Sequence, residues 1–153
     1  MSALSGLRVI DLSSGIAGPF CAKLFSDFGA DVVKVESPEG GDEARNLGPF
    51  PKDNQDLETS GLFLYLNTNK RGITLDLSTA SGLAALQMLA ASADVIVESF
   101  TPGFMEQQGL GFDSLQAIRP GIILVSITPF GQTGPWRNFQ ATDLVQYALS
   151  GLS

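Results

Sequence analysis

Short apolar runs alternate with helical patterns along this chain of 153 residues. Residues 8–12 (RVIDL) form a β-type run that ends in a Ser- and Gly-containing turn. Phe20, Leu24 and Phe28 then recur at four-residue spacing, which places them on one face of a helix. Residues 32–36 (VVKVE) predict a second strand. The order strand, helix, strand predicts a β-α-β unit and therefore a parallel sheet with right-handed crossovers.

The rest of the chain continues this α/β pattern. We predict three further strands: an edge strand over 73–77, a strand over 94–98 and a buried strand over 122–128. We predict four helices: one over 79–93, a short one after Pro102, one from the capping residue Asp113 toward Arg119, and one over 142–149. Residues 37–61 are rich in Gly, Pro, Asp, Glu and Asn without a clear period, so we expect a long loop there. The apolar runs are far shorter than the ~20 residues of a membrane span, and no signal peptide is predicted.

Composition narrows the classes of function. The formal net charge of −7 argues against nonspecific binding to nucleic acid or to an anionic membrane. The chain has no His, which excludes His-assisted triads, His metal sites and His acid–base pairs, and we predict no metal site. A single Cys forms no intrachain disulfide, which favours a cytoplasmic setting. Only 16% of the residues are charged, so we expect a partner to cover part of the surface.

Three features have open chemical interpretations. Residues 15–19 (GIAGP) join the first strand to its helix, where free amides favour a phosphate, although a plain tight turn fits equally well. Glu36 ends the next strand, where dinucleotide-binding domains place a ribose-binding acid, but the dinucleotide glycine spacing is missing. Lys70 and Arg71 form the one adjacent basic pair, which indicates either an anion contact or solvated loop charge.

Taken in order, ten segments of the chain resemble the class III CoA-transferase family, which includes formyl-CoA and carnitine-CoA transferases. The matching segments are 4–12, 17–20, 28–36, 67–71, 93–103, 109–112, 126–128, 130–135, 143–144 and 148–151. Each is moderately specific, and the ordered set is very specific. The resemblance implies an α/β fold with a Rossmann-like parallel sheet and flanking helices, of which residues 1–153 form an incomplete N-terminal, CoA-binding part.

The resemblance also implies a reaction. Members move CoA between two carboxylic acids through mixed-anhydride and aspartyl-CoA thioester intermediates, so the substrates are acyl-CoA and a carboxylic acid. Their nucleophilic aspartate lies in a later motif, so we assign no catalytic residue to this chain and expect it to be inactive alone. Members are interlocked dimers, and we therefore expect a homodimer.

The CoA contacts of the family map onto four segments of this chain and onto the single residue Gln107. The candidate CoA-binding residues are Ile16, Ala17, Leu75, Asp76, Leu77, Ser78, Ser99, Phe100, Thr101, Gln107, Gln140, Ala141, Thr142 and Asp143, with Lys70 and Arg71 added for their charge. Ser37, Gln107 and Gln140 stand where the formyl-CoA branch or many other members carry a basic residue, which argues against formyl-CoA specificity.

Three alternatives stay open beside the transferase. Related α-methylacyl-CoA racemases need a His, but Thr142 occupies the corresponding position, so the transferase is favoured. A non-catalytic CoA- or nucleotide-binding module would also fit a chain without a nucleophile. A dinucleotide-dependent oxidoreductase is the weaker alternative, because the glycine spacing does not match.

Overall fold

The computed structural model describes residues 2–151, apart from the side chain of Asp143. The elements are β1 (Arg8–Asp11), α1 (Ala17–Asp27), β2 (Asp31–Glu36), α2 (Gly61–Leu66), β3 (Arg71–Thr74), α3 (Ala80–Ala90), β4 (Val95–Glu98), α4 (Phe104–Gln107), α5 (Phe112–Ile118), β5 (Ile123–Ser126) and α6 (Asp143–Ser150). The predicted long loop between β2 and α2 contains two 3₁₀ turns, Glu43–Asn46 and Pro51–Asp53. No helix within the described residues is both long and apolar enough to cross a bilayer.

The five strands form one parallel sheet in the order β3-β2-β1-β4-β5. Val9 of β1 pairs with Val32 of β2 on one side and with Val95 of β4 on the other. The strand order reverses between β1 and β4, so the carboxyl ends of these two strands form the switch point at which α/β sheets open a crevice. The α/β fold with a parallel sheet and flanking helices is therefore confirmed.

Helices cover both faces of the sheet. On one face α1 contributes Ala22 to a core that includes the strand residues Val9, Val32, Val95 and Val97. The opposite face packs against α3, α4 and α5 through Ile10, Leu12, Val35, Leu86, Ile96, Met105 and Leu115. Because the central strands are buried on both faces, their apolar runs are nearly continuous, as parallel sheets require.

The apolar stripe of α1 faces away from the sheet. Phe20, Leu24 and Phe28 are 40%, 43% and 56% exposed, whereas the small residues Ala22 and Ser26 are buried against the strands. Small side chains let the helix approach the sheet closely. The predicted four-residue spacing is present, but its large side chains form an exposed surface rather than the core.

Both edge strands differ from the prediction. The strand expected over 73–77 is Arg71–Thr74, because the chain leaves the sheet at Asp76, whose carboxylate accepts the Ser78 amide (2.9 Å) and hydroxyl (2.6 Å) in a tight turn. The strand expected to be buried over 122–128 is Ile123–Ser126, and Ile123 is exposed because β5 pairs only with β4.

The cap predicted at Asp113 is also wrong. Gly111 caps α5, and Asp113 lies in the first turn. A Cβ atom at Gly111 would stand 2.9 Å from Cγ of Glu106, so a residue without a side chain is needed where α4 meets α5. This close approach accounts for the glycine at the start of α5, which has no side-chain cap.

Candidate functional site

The switch point is closed by a direct contact between the turn after β1 and the segment after β4. The Ser14 amide donates to Oγ of Ser99 at 2.9 Å, and the Ser99 hydroxyl lies 3.4 Å from the Ser14 carbonyl oxygen. Ser99 therefore joins the two segments that diverge at this point. Two clefts open beside it at the carboxyl edge of the sheet.

The first cleft has a volume of about 380 Å³. The turn after β1, the loop after β2, the segment after β3 and the start of α4 form its walls. Its lining residues are Leu12, Ser13, Ser14, Lys34, Val35, Glu36, Ser37, Glu39, Gly41, Asp42, Leu75, Asp76, Leu77, Ser78, Phe100, Phe104 and Gln108. The Phe100 and Phe104 rings lie 4.4 Å apart between centroids and form an aromatic wall.

The second cleft, of about 470 Å³, lies on the β4–β5 side. Ser99, Phe100, Thr101, Pro102, Thr128, Pro129, Arg137, Asn138, Phe139, Gln140 and Ala141 line it. Phe100 borders both clefts, so the two open next to each other across one side chain. Both clefts therefore lie at the carboxyl ends of the strands, one on each side of Phe100.

The structure brings together most of the candidate CoA-binding residues. Leu75, Asp76, Leu77, Ser78 and Phe100 line the first cleft, and Ser99, Phe100, Thr101, Gln140 and Ala141 line the second. Ile16 and Ala17 are exposed at the start of α1, Gln107 is exposed on α4 beside Gln108, and Thr142 is exposed at the start of α6. The side chain of Asp143 lies outside the described residues.

Lys70 and Arg71 are engaged elsewhere. The Lys70 ammonium group is buried and donates to Asp11 Oδ2, the Pro19 carbonyl and Asn67 Oδ1, each at 2.8 Å. The Arg71 guanidinium pairs with both carboxylate oxygens of Asp31, at 2.7 and 2.6 Å. These contacts argue against a phosphate-binding role for either residue.

Beneath the first cleft lies a buried cluster of four charges. The Lys34 ammonium donates to Asp42 Oδ2 at 2.5 Å and to the Ser13 carbonyl, and lies 3.9 Å from Asp11 Oδ2. Asp11 in turn accepts from Lys70 at 2.8 Å. Two lysines and two aspartates balance in formal charge, as buried ions require. Burial lowers the pKa of Lys70, although the Asp11 carboxylate acts in the opposite direction.

Asp42 connects this cluster to the cleft wall. Its Oδ1 accepts the Gly15 amide at 3.0 Å, the Ala44 amide at 2.9 Å and the Ser14 hydroxyl at 3.3 Å. The loop after β2 is thereby fixed to the turn after β1, and the walls of the first cleft are held at a defined separation.

The carboxylate of Glu36, the residue considered for ribose binding, is paired with Arg45. The Arg45 guanidinium donates to both Glu36 carboxylate oxygens, at 2.6 and 2.9 Å, and lies 3.8 Å from the centre of the Phe63 ring. Burial opposes ionisation of Glu36, but the hydrogen bonds from Arg45 and from the Asp42 amide outweigh it, and the pKa of Glu36 is lowered. A carboxylate held in this way has little capacity left for a ribose, which argues against the dinucleotide alternative.

Glu98 is a buried carboxyl group at the end of β4. Its Oε2 accepts the Phe100 amide at 2.7 Å, and its Oε1 lies 3.4 Å from the Gln132 side-chain amide. Burial raises the pKa of Glu98, hydrogen bonds from Ser126 and Phe100 act against this, and the Glu106 carboxylate raises it further. Glu98 thereby orients the residue that borders both clefts.

Glu98 provides a pH-dependent test. The pKa of Glu98 is higher in the folded than in the unfolded protein, so ionised Glu98 opposes folding. The loss of stability begins as pH rises above the pKa of Glu98 in the unfolded chain, and it is complete above the raised pKa in the folded protein. We expect Glu98→Gln to gain stability relative to the natural protein as pH rises above the ordinary glutamate pKa of about 4.5. Urea unfolding across this range measures it, and a constant difference at all pH values contradicts it.

Sequence reasoning missed the buried cluster and much of the second cleft. Lys34 carried a signal, because a lysine between valines in a buried strand needs a buried partner. Asp42 and Arg137 carried none, since loop positions show no periodicity that would reveal burial or direction, and Thr128 was predicted only as the end of a buried strand.

Comparison with known proteins agrees with this architecture. The model of CoA-transferase family III matches residues 4–153. The chain is 43% identical over 150 residues to a succinate–glutarate CoA-transferase of Agrobacterium fabrum, covering 97% of this chain and 38% of that protein. It is 41% identical over 152 residues to the succinyl-CoA:glutarate CoA-transferase of Mus musculus, covering 99% of this chain and 34% of that protein.

Solved structures show the same relationship. A CAIB/BAIF family protein from Brucella suis superposes with a TM-score of 0.88 at 38% identity, covering 98% of this chain and 39% of that one. The chain therefore spans little more than a third of the length of the relatives it matches. Because the family model matches nearly every residue, the chain belongs to CoA-transferase family III.

Proposed function

We propose that the chain forms the N-terminal, CoA-binding part of an enzyme that transfers CoA between carboxylic acids. The observation that carries this proposal is the pair of clefts meeting at Phe100, because candidate CoA-binding residues line both in a chain that belongs to the family. An elongated ligand such as CoA requires a crevice of this kind, placed at the carboxyl edge of a parallel sheet.

Beside the first cleft, backbone amides are the main donors available to the phosphates of CoA. In the first cleft Lys34 is the one cationic side chain among the described lining residues, and Asp42 neutralises it. The amides at the start of α1, which include those of Ile16 and Ala17, have no acceptor within the helix and lie at its positive end. We therefore assign the phosphates to this end of α1.

The reaction itself needs a carboxylate nucleophile, which we place outside residues 1–153. Its attack on the acyl-CoA carbonyl forms a mixed anhydride and releases CoA thiolate. The thiolate then attacks the aspartyl carbonyl, which forms the aspartyl-CoA thioester and frees the first acid as its carboxylate. The second acid takes CoA by the reverse steps.

We further propose that the acids are dicarboxylic. The relatives named above are succinate–glutarate and succinyl-CoA:glutarate CoA-transferases, and another, from Chloroflexus aurantiacus, is named for succinyl-CoA and L-malate. All of these acids carry a second carboxylate, whose recognition needs a cation or hydrogen-bond donors near the reacting thioester.

The exposed apolar surface supports assembly of the protein as a homodimer. Ile16, Phe20, Leu24 and Phe28 lie exposed along α1, and Leu144 on α6 is also exposed. The four side chains on α1 recur at four-residue spacing and share one helix face, and an exposed apolar face of this kind marks an interaction site. Light scattering of the complete protein tests this assembly, and a monomer at micromolar concentration contradicts it.

Binding and transfer assays test the proposed function. We expect the complete protein to bind CoA in calorimetry, to show no binding of NADH, and to exchange CoA between succinyl-CoA and glutarate. Phe100→Ala removes the wall shared by both clefts and is expected to weaken CoA binding about tenfold, whereas Met88→Ala, exposed on α3 and lining neither cleft, leaves it unchanged. CoA binding without exchange supports the non-catalytic module, and absence of CoA binding contradicts the proposal.

A further inference from the structure

A loop that contains three packed aromatic residues contributes Arg137, Asn138 and Phe139 to one wall of the second cleft. Phe130 packs edge-on against Trp136 and against Phe139, with 6.3 Å between ring centroids in each pair. The backbone turns between them, because the Phe139 amide donates to the Trp136 carbonyl at 2.8 Å and the Arg137 amide to the Gly134 carbonyl at 3.4 Å. Arg137 is thus carried on a turn that aromatic residues anchor on both sides.

Arg137 is the one charged side chain among the described residues that line this cleft. Its guanidinium forms no ion pair with any side chain that the structure describes. By contrast, Arg8, Arg45, Arg71 and Arg119 all pair with carboxylates. A guanidinium on a fixed turn beside a cleft presents a planar set of donors that matches a carboxylate.

Thr128 supplies a second polar group to the same cleft. Its Oγ1 is buried and has no hydrogen-bond partner among the described residues. Buried hydroxyl groups in folded proteins almost always have a partner. A polar atom of a ligand in the cleft would satisfy this hydroxyl.

We propose that the second cleft holds the acyl group and that Arg137 and Thr128 bind its distal carboxylate. The inference deepens the proposed function and rests on it. The guanidinium pairs with the carboxylate, and the Thr128 hydroxyl donates to it, while Phe100 and Phe139 enclose the methylene chain. The two residues then determine specificity for dicarboxylic over monocarboxylic acyl-CoA.

Two donors of equal carbon-chain length separate this role from CoA binding. Succinyl-CoA carries the distal carboxylate and butyryl-CoA lacks it, and kcat/KM for each donor is measured in the complete protein with glutarate as acceptor. We expect Arg137→Gln to lower kcat/KM for succinyl-CoA at least tenfold and to leave that for butyryl-CoA within about twofold. Thr128→Val should lower the succinyl-CoA value about threefold, again without affecting butyryl-CoA.

Control variants distinguish loss of carboxylate recognition from a general loss of activity. Arg119→Gln removes an exposed arginine paired with Asp94, away from both clefts, and should change neither donor's kinetics. Arg137→Lys keeps the charge without the planar fork and should lie between the natural protein and Arg137→Gln. Equal losses with both donors, no loss with succinyl-CoA, or a natural preference for butyryl-CoA overturns the inference. Failure of the natural protein to bind CoA or to use either donor refutes the proposed function instead.

Discussion

Replacing Lys34 with Met is expected to lower the free energy of unfolding by about 3–5 kcal/mol. The Lys34 side chain is 2% exposed, and its ammonium donates to Asp42 and lies near Asp11, whose side chains are fully buried. Methionine fills much of the same volume but leaves the Asp42 carboxylate buried without its cation. Urea unfolding followed by circular dichroism, with extrapolation to water, measures the loss.

Two further variants show that the charge, rather than the packing, is responsible. The double variant Lys34→Met/Asp42→Asn lacks the uncompensated carboxylate. We therefore expect its free energy of unfolding to be about 1–2 kcal/mol higher than that of Lys34→Met. Arg119→Met removes an ion pair at the surface, in which the guanidinium lies 3.1 Å from the Asp94 carboxylate. It should lower the free energy of unfolding by less than about 1 kcal/mol. If the double variant is no more stable than Lys34→Met, lost packing accounts for the effect.

The central sheet could be predicted from the sequence because burial on both faces leaves a strong pattern. Residues 8–12, 32–36 and 94–98 are apolar runs with predicted helices between them, and they correspond to β1, β2 and β4 at the centre of the sheet. The edge strands gave no such signal. Most of Arg71–Thr74 is exposed, so β3 carries no burial pattern that would define its ends.

The site could be predicted in part because ligand-binding segments of parallel sheets follow the carboxyl ends of strands. Ser99 and Phe100, directly after β4, border the clefts for this reason. The contacts of Lys70 could not be predicted, because its partner Asp11 lies 59 residues away in sequence. Nor could the role of Asp42, since only the folded loop after β2 brings it to Lys34. Charge alone does not distinguish an ion that stabilises the fold from one that binds a ligand.

The start of α3 sets the position of one wall of the first cleft. Gly82 lies in the first turn of this helix and is buried against the backbone at Asp76, which lines the cleft together with Ser78. A Cβ atom at Gly82 would stand 1.9 Å from the Asp76 carbonyl oxygen and 2.6 Å from its carbonyl carbon. Neither is the end of a flexible side chain, so only movement of the helix or of the cleft wall relieves the overlap.

Gly82→Ala is therefore expected to lower the free energy of unfolding by about 2 kcal/mol and to weaken CoA binding. The steric overlap lowers the free energy of unfolding by about 3 kcal/mol, and the higher helix propensity of alanine raises it by about 1 kcal/mol. Gly72→Ala is the matched control, because a Cβ there meets nothing within 4 Å, and both properties should stay near those of the natural protein. Urea unfolding and calorimetry with CoA measure the two effects. Loss of stability with unchanged CoA affinity would show that the cleft wall at Asp76 does not contact the ligand.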